Sequence, residues 1–258
     1  METAIENLRQ YDEVRQSQLD LLRANLGRQA AYPGYPQQSD RLVSQLMQLP
    51  INDSGSLVVP EGPWSTPGNY SNPRPVETEW FRQQGYGVDS DGRPLHPWFV
   101  DMMEDPDIGV VTGKGAYWHW GPNRTVDAIV LHDGHILLIR RHDTGTWALP
   151  GGFQDTETAM TGARREVHEE TGIDLPIDLE GQSVYEGPVV DTRVTAHAWP
   201  VTSAFLFELD PLQSLQDPHG DDDADEARWF DIETAQHDVV FGSHNFLIQQ
   251  ALAMTVSH

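Results

Sequence analysis

Cysteine is absent from the 258 residues, which excludes disulfides, thiolate zinc sites and a cysteine nucleophile. Carboxylates and histidines remain as the side-chain metal ligands, so any metal is expected to be hard and oxygen-bound. Lysine occurs once, at Lys114, against fifteen arginines, a coding bias that says nothing about the fold. Long apolar runs are missing as well. No stretch of about 18 apolar residues could cross a bilayer, and the opening METAIENLRQYDEV carries acids in place of the apolar segment of a secretory signal. The expected setting is therefore cytoplasmic, with no membrane partner. Positive charge is scarce: the formal net charge is −24, and residues 151–258, with 21 Asp and Glu against four Arg, carry −17 of it. That balance argues against nucleic acid as a partner. It also repels phosphorylated small molecules, although salt screens exposed charges beyond roughly 8 Å. A bound cation would reverse the local sign.

What is present suffices for one large domain, or a catalytic domain with a smaller companion. A 38% hydrophobic content with eight Trp marks a globular chain. Residues 3–26 predict a helix, with Ile5, Leu8, Tyr11, Leu19, Leu22 and Leu26 on one apolar stripe and Gly27 as its stop. It either packs on its own chain or serves as a dimerisation arm, so a homodimer is one expectation. Residues 31–112 are rich in Pro, Gly, Asn, Asp and Ser with Trp64, Trp80 and Trp98 scattered among them, which predicts a loop-rich lobe anchored by aromatics. We divide the chain into this N-terminal part, 1–110, and a catalytic domain, 111–258. In the latter, apolar runs at 125–131 and 135–140 flank His132-Asp133-Gly134, a hairpin signal. A helix is predicted over 157–171, strands over 183–190, 201–209 and 227–230, an acidic loop over 217–226, and a last helix over 245–254. This order predicts an α+β sandwich with a mixed sheet and helices on its faces. His132-Asp133-Gly134-His135 imitates a nucleotidyltransferase signature, but that signature belongs at a helix start and this one lies in a hairpin turn.

The chemistry is concentrated between Gly151 and Ile173, which read GGFQDTETAMTGARREVHEETGI. Glu166, Glu169 and Glu170 share one helix face by their i, i+3, i+4 spacing. Three like charges side by side repel one another, and the arrangement is tolerable if they hold divalent cations; Mg²⁺ prefers such oxygen ligands. Arg165, four residues before Glu169, offsets part of the repulsion and orients a carboxylate. A merely solvated acidic face would not need the flanking glycines, Arg165, Val167 and Ile173 in register. With Gly151, Glu157 and Gly172, nine specified positions fall in 23 residues. The pattern is that of a complete Nudix box, and the chain resembles the Nudix hydrolases.

The resemblance implies a Nudix α/β/α sandwich and metal-dependent hydrolysis of the pyrophosphate of a nucleoside diphosphate derivative. Glu166, Glu169 and Glu170 would be the catalytic and metal-binding carboxylates, joined by the Gly151 carbonyl, with Mg²⁺ as the ion and Mn²⁺ as a substitute. The general base is a box glutamate or an acid of the 217–226 loop. In one respect the sequence departs from its resemblance: Gly152 stands five residues before Glu157, where the second glycine of the pair usually stands six, so the loop is one residue shorter and Gly151 is the glycine in register.

Four further segments resemble the branch that holds the mitochondrial-type ADP-ribose pyrophosphatases and the ADP-ribose-binding domain of melastatin-type channels. They are Trp120-Gly121-Pro122-Asn123, then Arg140-Arg141-His142-Asp143 through Trp147-Ala148-Leu149-Pro150, then Asp191-Thr192-Arg193-Val194-Thr195 running to Ala198-Trp199, and Gly220 to Asp223 with Trp229 and Ser243-His244. By this resemblance Asp191 and Arg193 meet the ribose and phosphate end of the ligand, and a guanidinium suits phosphate because its planar fork pairs two oxygens. Arg141 joins the substrate side. His244 is a ligand contact or a cap on the last helix. In that branch an N-terminal lobe also borders the ligand cleft. The expected substrate is ADP-ribose, cleaved to AMP and ribose 5-phosphate; another ADP-sugar or a dinucleotide is the neighbouring alternative. A catalytically silent ADP-ribose sensor is the alternative of a different class, although there the box is degraded and here it is intact. A DNA-binding regulator is disfavoured by charge and by the lack of a basic helix-turn-helix.

Overall fold

The computed structural model describes residue 16 and residues 72–99, 101, 113–114, 117–142, 145–189, 194–212, 217–221, 224–238 and 243–255. The helix predicted over 3–26 lies outside these, apart from the helical Gln16, and so do Asp191 and Arg193. The chain forms two compact units, residues 1–123 with 189–200 and residues 124–188 with 201–258.

Seven strands, β1 (Gly121–His132), β2 (His135–Arg141), β3 (Trp147–Ala148), β4 (Gly151–Phe153), β5 (Gln182–Pro188), β6 (Ala198–Glu208) and β7 (Ala224–Asp231), form one sheet among the described residues. Its order is β3-β2-β1-β6-β5, with β4 also pairing β1 and β7 pairing β2. The β1–β2 hairpin turns where the sequence signals it, through Asp133 at φ 44° and Gly134 at φ 76°. Two successive positive φ angles give a turn whose twist matches the flanking strands, and Asp-Gly tolerates them. The hairpin is antiparallel, as are the pairs of β4 with β1, β7 with β2 and β5 with β6. Between β1 and β6 the direction is shared. Asp127 meets Thr202, and four residues further along β1 the Leu131 carbonyl accepts from Leu209 N at 2.8 Å. The sheet is therefore mixed, as expected.

The helices with described bounds are α1 (Pro75–Gln83), α2 (Ala159–Thr171), α3 (Ile232–Asp238) and α4 (His244–Thr255). The box helix α2 starts two residues later than predicted because Thr158 caps it, its hydroxyl accepting from Thr161 N. It stops at Gly172, whose left-handed φ of 68° suits glycine. Its apolar face, Ala163 and Val167, packs with Val126, Ala128 and Val130 of β1, Leu137 of β2 and Phe207 of β6. Full burial of a side chain such as Val167 contributes about 1.5–3 kcal/mol, so this seam holds the helix against the sheet.

The first unit contains α1, a helix inside the segment expected to be loop. Its sequence shows no stripe because only Thr78 and Phe81 are buried; Pro75 stands at its first position, and the Glu77 carboxylate accepts from Arg74 N at 2.7 Å and from the Arg74 guanidinium at 3.0 Å. Beyond it, a bridge joins Val88 to Pro94. Asp89 and Arg93, both buried, pair at 2.8 Å, with His197 Nε2 3.3 Å from the same carboxylate. Burial works to raise the Asp89 pKa, but His197 and Arg93 outweigh it and hold the carboxyl at about 2. His96 stacks edge-on to Trp199 at 4.9 Å, and burial pushes its pKa down to about 3. The 194–199 segment turns on Thr195, whose hydroxyl donates to Gly113 O at 2.6 Å and accepts from Ala198 N at 2.8 Å. No helix among the described residues is long and apolar enough to cross a membrane.

Candidate active site

The box folds so that one arginine gathers three of its glutamates. Arg165 Nη1 donates to Glu169 Oε2 at 2.6 Å and to Glu166 Oε1 at 2.9 Å, while Nη2 donates to Glu157 Oε1 at 3.1 Å and to Phe153 O at 3.1 Å. Burial alone would lower the Arg165 pKa. The bond to Glu169 and the charges and bonds of Glu166 and Glu157 overcome this and raise it, so the guanidinium is a fixed cation. Arg165 thus offsets the repulsion expected of the acidic face and links the helix to the β4 loop. Glu170, on the same face, is buried, and its Oε2 accepts from Gly151 N at 2.9 Å. Glu166 is buried as well, lying against Gly152, where a Cβ would come within 2.6 Å of its Oε1. The two glycines have separate reasons to be glycine. A Cβ at Gly151 would collide with the Val126 carbonyl of β1, and one at Gly152 with the Glu166 carboxylate.

Behind this loop lies a polar chain of which sequence reading named His244 and missed Asp127. Asp127 of β1 is buried; one of its oxygens accepts from the Thr202 hydroxyl and the other lies 3.3 Å from His244 Nε2. His244 Nδ1 accepts from Leu149 N at 2.8 Å. His244 begins α4 and is itself buried, with both ring nitrogens engaged by the protein. The available signal was a lone carboxylate in the apolar run TVDAIVL. Arg141 sits half-buried at the end of β2, its peptide N donating to Thr146 O at 2.9 Å. Of the acids in the predicted 217–226 loop, Asp225 and Glu226 belong instead to β7, where Asp225 meets His142 at 2.7 Å and Glu226 meets Arg228.

Whether these residues suit a cation can be judged on donor type and space. Among the described residues no three acidic or histidine side chains converge as a ligand cluster, and Arg165 lies between Glu157, Glu166 and Glu169. The donors themselves are of the type a hard divalent ion takes: they are carboxylate oxygens on one helix face, and the missing Cβ of Gly152 lets the Glu166 carboxylate lie against the loop.

The family model for the NUDIX domain matches residues 121–249, half the chain, so the protein belongs to the Nudix family. Enzymes of this family generally use divalent metals. The Caenorhabditis elegans protein named nudix hydrolase 6 is 33% identical over 153 residues, 54% of this chain and 58% of that one. The mitochondrial ADP-ribose pyrophosphatase of Rattus norvegicus is 26% identical over 198 residues, 62% of this chain and 54% of that one. A solved bifunctional NMN adenylyltransferase/ADP ribose pyrophosphatase of Francisella tularensis, complexed with AMP and a Mn ion, matches with TM-score 0.43 and 26% identity, over 55% of this chain and 43% of that one. The chain thus spans little more than half the length of these curated relatives.

Proposed function

We propose that the protein hydrolyses the diphosphate of ADP-ribose, giving AMP and ribose 5-phosphate, and that it does so with Mg²⁺, for which Mn²⁺ can substitute. The observation that carries the reading is the intact, Arg165-organised set of Glu157, Glu166, Glu169 and Glu170 beside the Gly151-Gly152 loop. A hydrolase needs these carboxylates and a silent sensor does not. Glu166, Glu169, Glu170 and the Gly151 carbonyl would hold the ion. When bound, such an ion neutralises charge on the diphosphate oxygens and lowers the pKa of a coordinated water. The chain's own residues supply the rest: Arg165 keeps Glu166 and Glu169 in place, and a carboxylate removes the proton from the attacking water.

The choice of ADP-ribose rests on the resemblance in Asp191, Arg193, Arg141 and His244, and on the name of the rat relative. Arg193 pairs phosphate oxygens, Asp191 accepts from ribose hydroxyls, and Arg141 completes the substrate side; His244, expected there too, has its ring nitrogens at Leu149 N and Asp127. Turnover of ADP-ribose compared with other ADP-sugars and dinucleotides, with AMP followed as product, tests the reading. Preference for a dinucleotide would retain the chemistry and change the substrate, whereas binding of ADP-ribose without turnover would make the protein a sensor.

A further inference from the structure

A carboxylate in the middle of an apolar strand is costly unless its oxygens are satisfied. Asp127 interrupts a stretch of β1 in which Val126, Ala128, Ile129 and Val130 are wholly buried. One of its oxygens accepts from the Thr202 hydroxyl, and the other lies 3.3 Å from His244 Nε2 as a charge contact. The opposite ring nitrogen of His244 receives the Leu149 N–H at 2.8 Å. A peptide N–H can only donate, so Nδ1 is the bare nitrogen and the ring proton resides on Nε2, facing Asp127. Asp127 thereby selects the tautomer with which His244 can hold the Leu149 peptide, as a carboxylate does wherever it orients an imidazole.

Leu149 opens the Leu149-Pro150-Gly151-Gly152 loop, and each of its first three residues is tied once. Leu149 N is held by His244, Pro150 O by Ala128 N at 2.9 Å, and Gly151 N by Glu170 at 2.9 Å. Pro150 has no N–H to offer. The loop's entry is therefore fixed by a side chain of α4, reached from β1 and β6, while its exit is held by the box helix and by the pairing of β4 with β1.

We infer that Asp127 and His244 form a positioning pair for the metal-binding loop: by fixing the Leu149 peptide they set where Gly151 presents its carbonyl and where its N–H holds Glu170. This rests on the reading of Gly151 and Glu170 as metal ligands, and it is a role separate from any contact of His244 with substrate. Asp127 acts through His244, and His244 acts through the backbone.

The test uses the full chain and two measurements, Mn²⁺ affinity of the substrate-free protein by calorimetry and steady-state hydrolysis of ADP-ribose. His244→Phe keeps the ring volume and loses the bond from Leu149 and the contact with Asp127; it should weaken Mn²⁺ binding and lower kcat by about tenfold each, the scale found for groups that orient ligands, with KM nearly unchanged. His244→Asn, whose amide oxygen can still accept from Leu149, should recover most of both losses. Asp127→Ala should resemble His244→Phe, and the double variant should be no worse than either single one. A raised KM with kcat and Mn²⁺ affinity unchanged would make His244 a substrate contact only. A lowered Tm with both measurements unchanged would make the pair structural only. Either result overturns the inference, as does His244→Asn being as impaired as His244→Phe. If His244→Phe does not fold, His244→Gln replaces it, with asparagine expected to outperform glutamine because it keeps the acceptor nearer Leu149. If the unaltered protein hydrolyses no diphosphate, the functional reading fails on its own, and the Mn²⁺ affinities alone decide the role of the pair.

Discussion

Arg165 and Arg193 use the same side-chain chemistry for different ends. Arg165 spends its donors on Glu157, Glu166, Glu169 and the Phe153 carbonyl, so it is part of the scaffold that holds the carboxylates. Arg193, in our reading, spends its donors on substrate. Replacing Arg193 with Ala should weaken ADP-ribose more than it weakens ADP, because ADP lacks the terminal ribose; comparison of KM for ADP-ribose with inhibition by ADP would show equal losses if the arginine merely meets any diphosphate. Arg193→Lys should restore only part, since a point charge does not reproduce the two-pronged geometry. In the first unit the informative residue is His96, buried and neutral with its pKa near 3. An unfolded histidine takes a proton at about 6.5, so between these values the unfolded chain binds more protons, and stability falls as the pH drops below about 6.5. His197, lowered chiefly by burial, acts in the same direction, and Asp89 adds to it as the pH falls through its ordinary carboxylate range toward about 2. Urea unfolding at pH 6.5 and pH 4 should show this decline, with a smaller slope in His96→Phe. An unchanged slope in that variant would mean that His96 is protonated within the fold.

The elements that position the chemistry are a strand, a loop and a helix meeting at two glycines, and the glycines predict different failures. Gly151→Ala would drive a Cβ into the β1 backbone at Val126 O, so it should lower Tm sharply. Gly152→Ala meets only the movable end of Glu166, within 2.6 Å, so it should fold but displace that carboxylate and lower kcat by at least about tenfold, as removal of a well-placed charge group does. Equal thermal losses in the two variants would show that the loop is simply crowded. Much of this element-level picture was legible in the sequence. The hairpin was signalled by Asp-Gly between apolar runs, and the box helix by its spacing, because both are local patterns. The expected strands at 183–190 and 201–209 appear as β5 and β6 with shifted ends. The short β3 and β4 and the seven-residue α3 carried no periodicity, and α1 buries too few residues to show a stripe. The Asp127–His244–Leu149 chain joins residues 95 and 117 positions apart, a relation only the fold creates.

At the scale of the whole molecule, the net charge of −24 and the proposed anionic substrate are at odds unless a cation mediates between them. The two units also divide the sequence in a way that bears on truncation, since Val189–Pro200 belongs with the N-terminal part. Within that unit His96 N donates to Ala196 O at 2.8 Å, Asp89 faces His197, and Trp199 packs edge-on to Tyr86 at 5.5 Å. A chain beginning at Val111 would lose Tyr86, Asp89 and His96 while keeping the fully buried Trp199. We predict that it is insoluble, or that it raises KM for ADP-ribose severalfold, because the segment that follows Asp191 and Arg193 loses its cover. A soluble, monodisperse short chain with unchanged KM would assign the N-terminal half to some other task.

In our reading the box glutamates hold a divalent cation for hydrolysis of ADP-ribose. AMP release from ADP-ribose should be measured with and without Mg²⁺, in the unaltered protein and in Glu169→Gln and Glu170→Gln. The amides keep the size of the side chains and remove the charge, and charge stabilisation by such an ion is worth several kcal/mol in the transition state. We predict release that requires Mg²⁺ or Mn²⁺ and falls in both variants by well over about tenfold in kcat. Turnover that persists without divalent ions, or near-unaltered turnover in both variants, would mean that the box glutamates do not hold a catalytic cation.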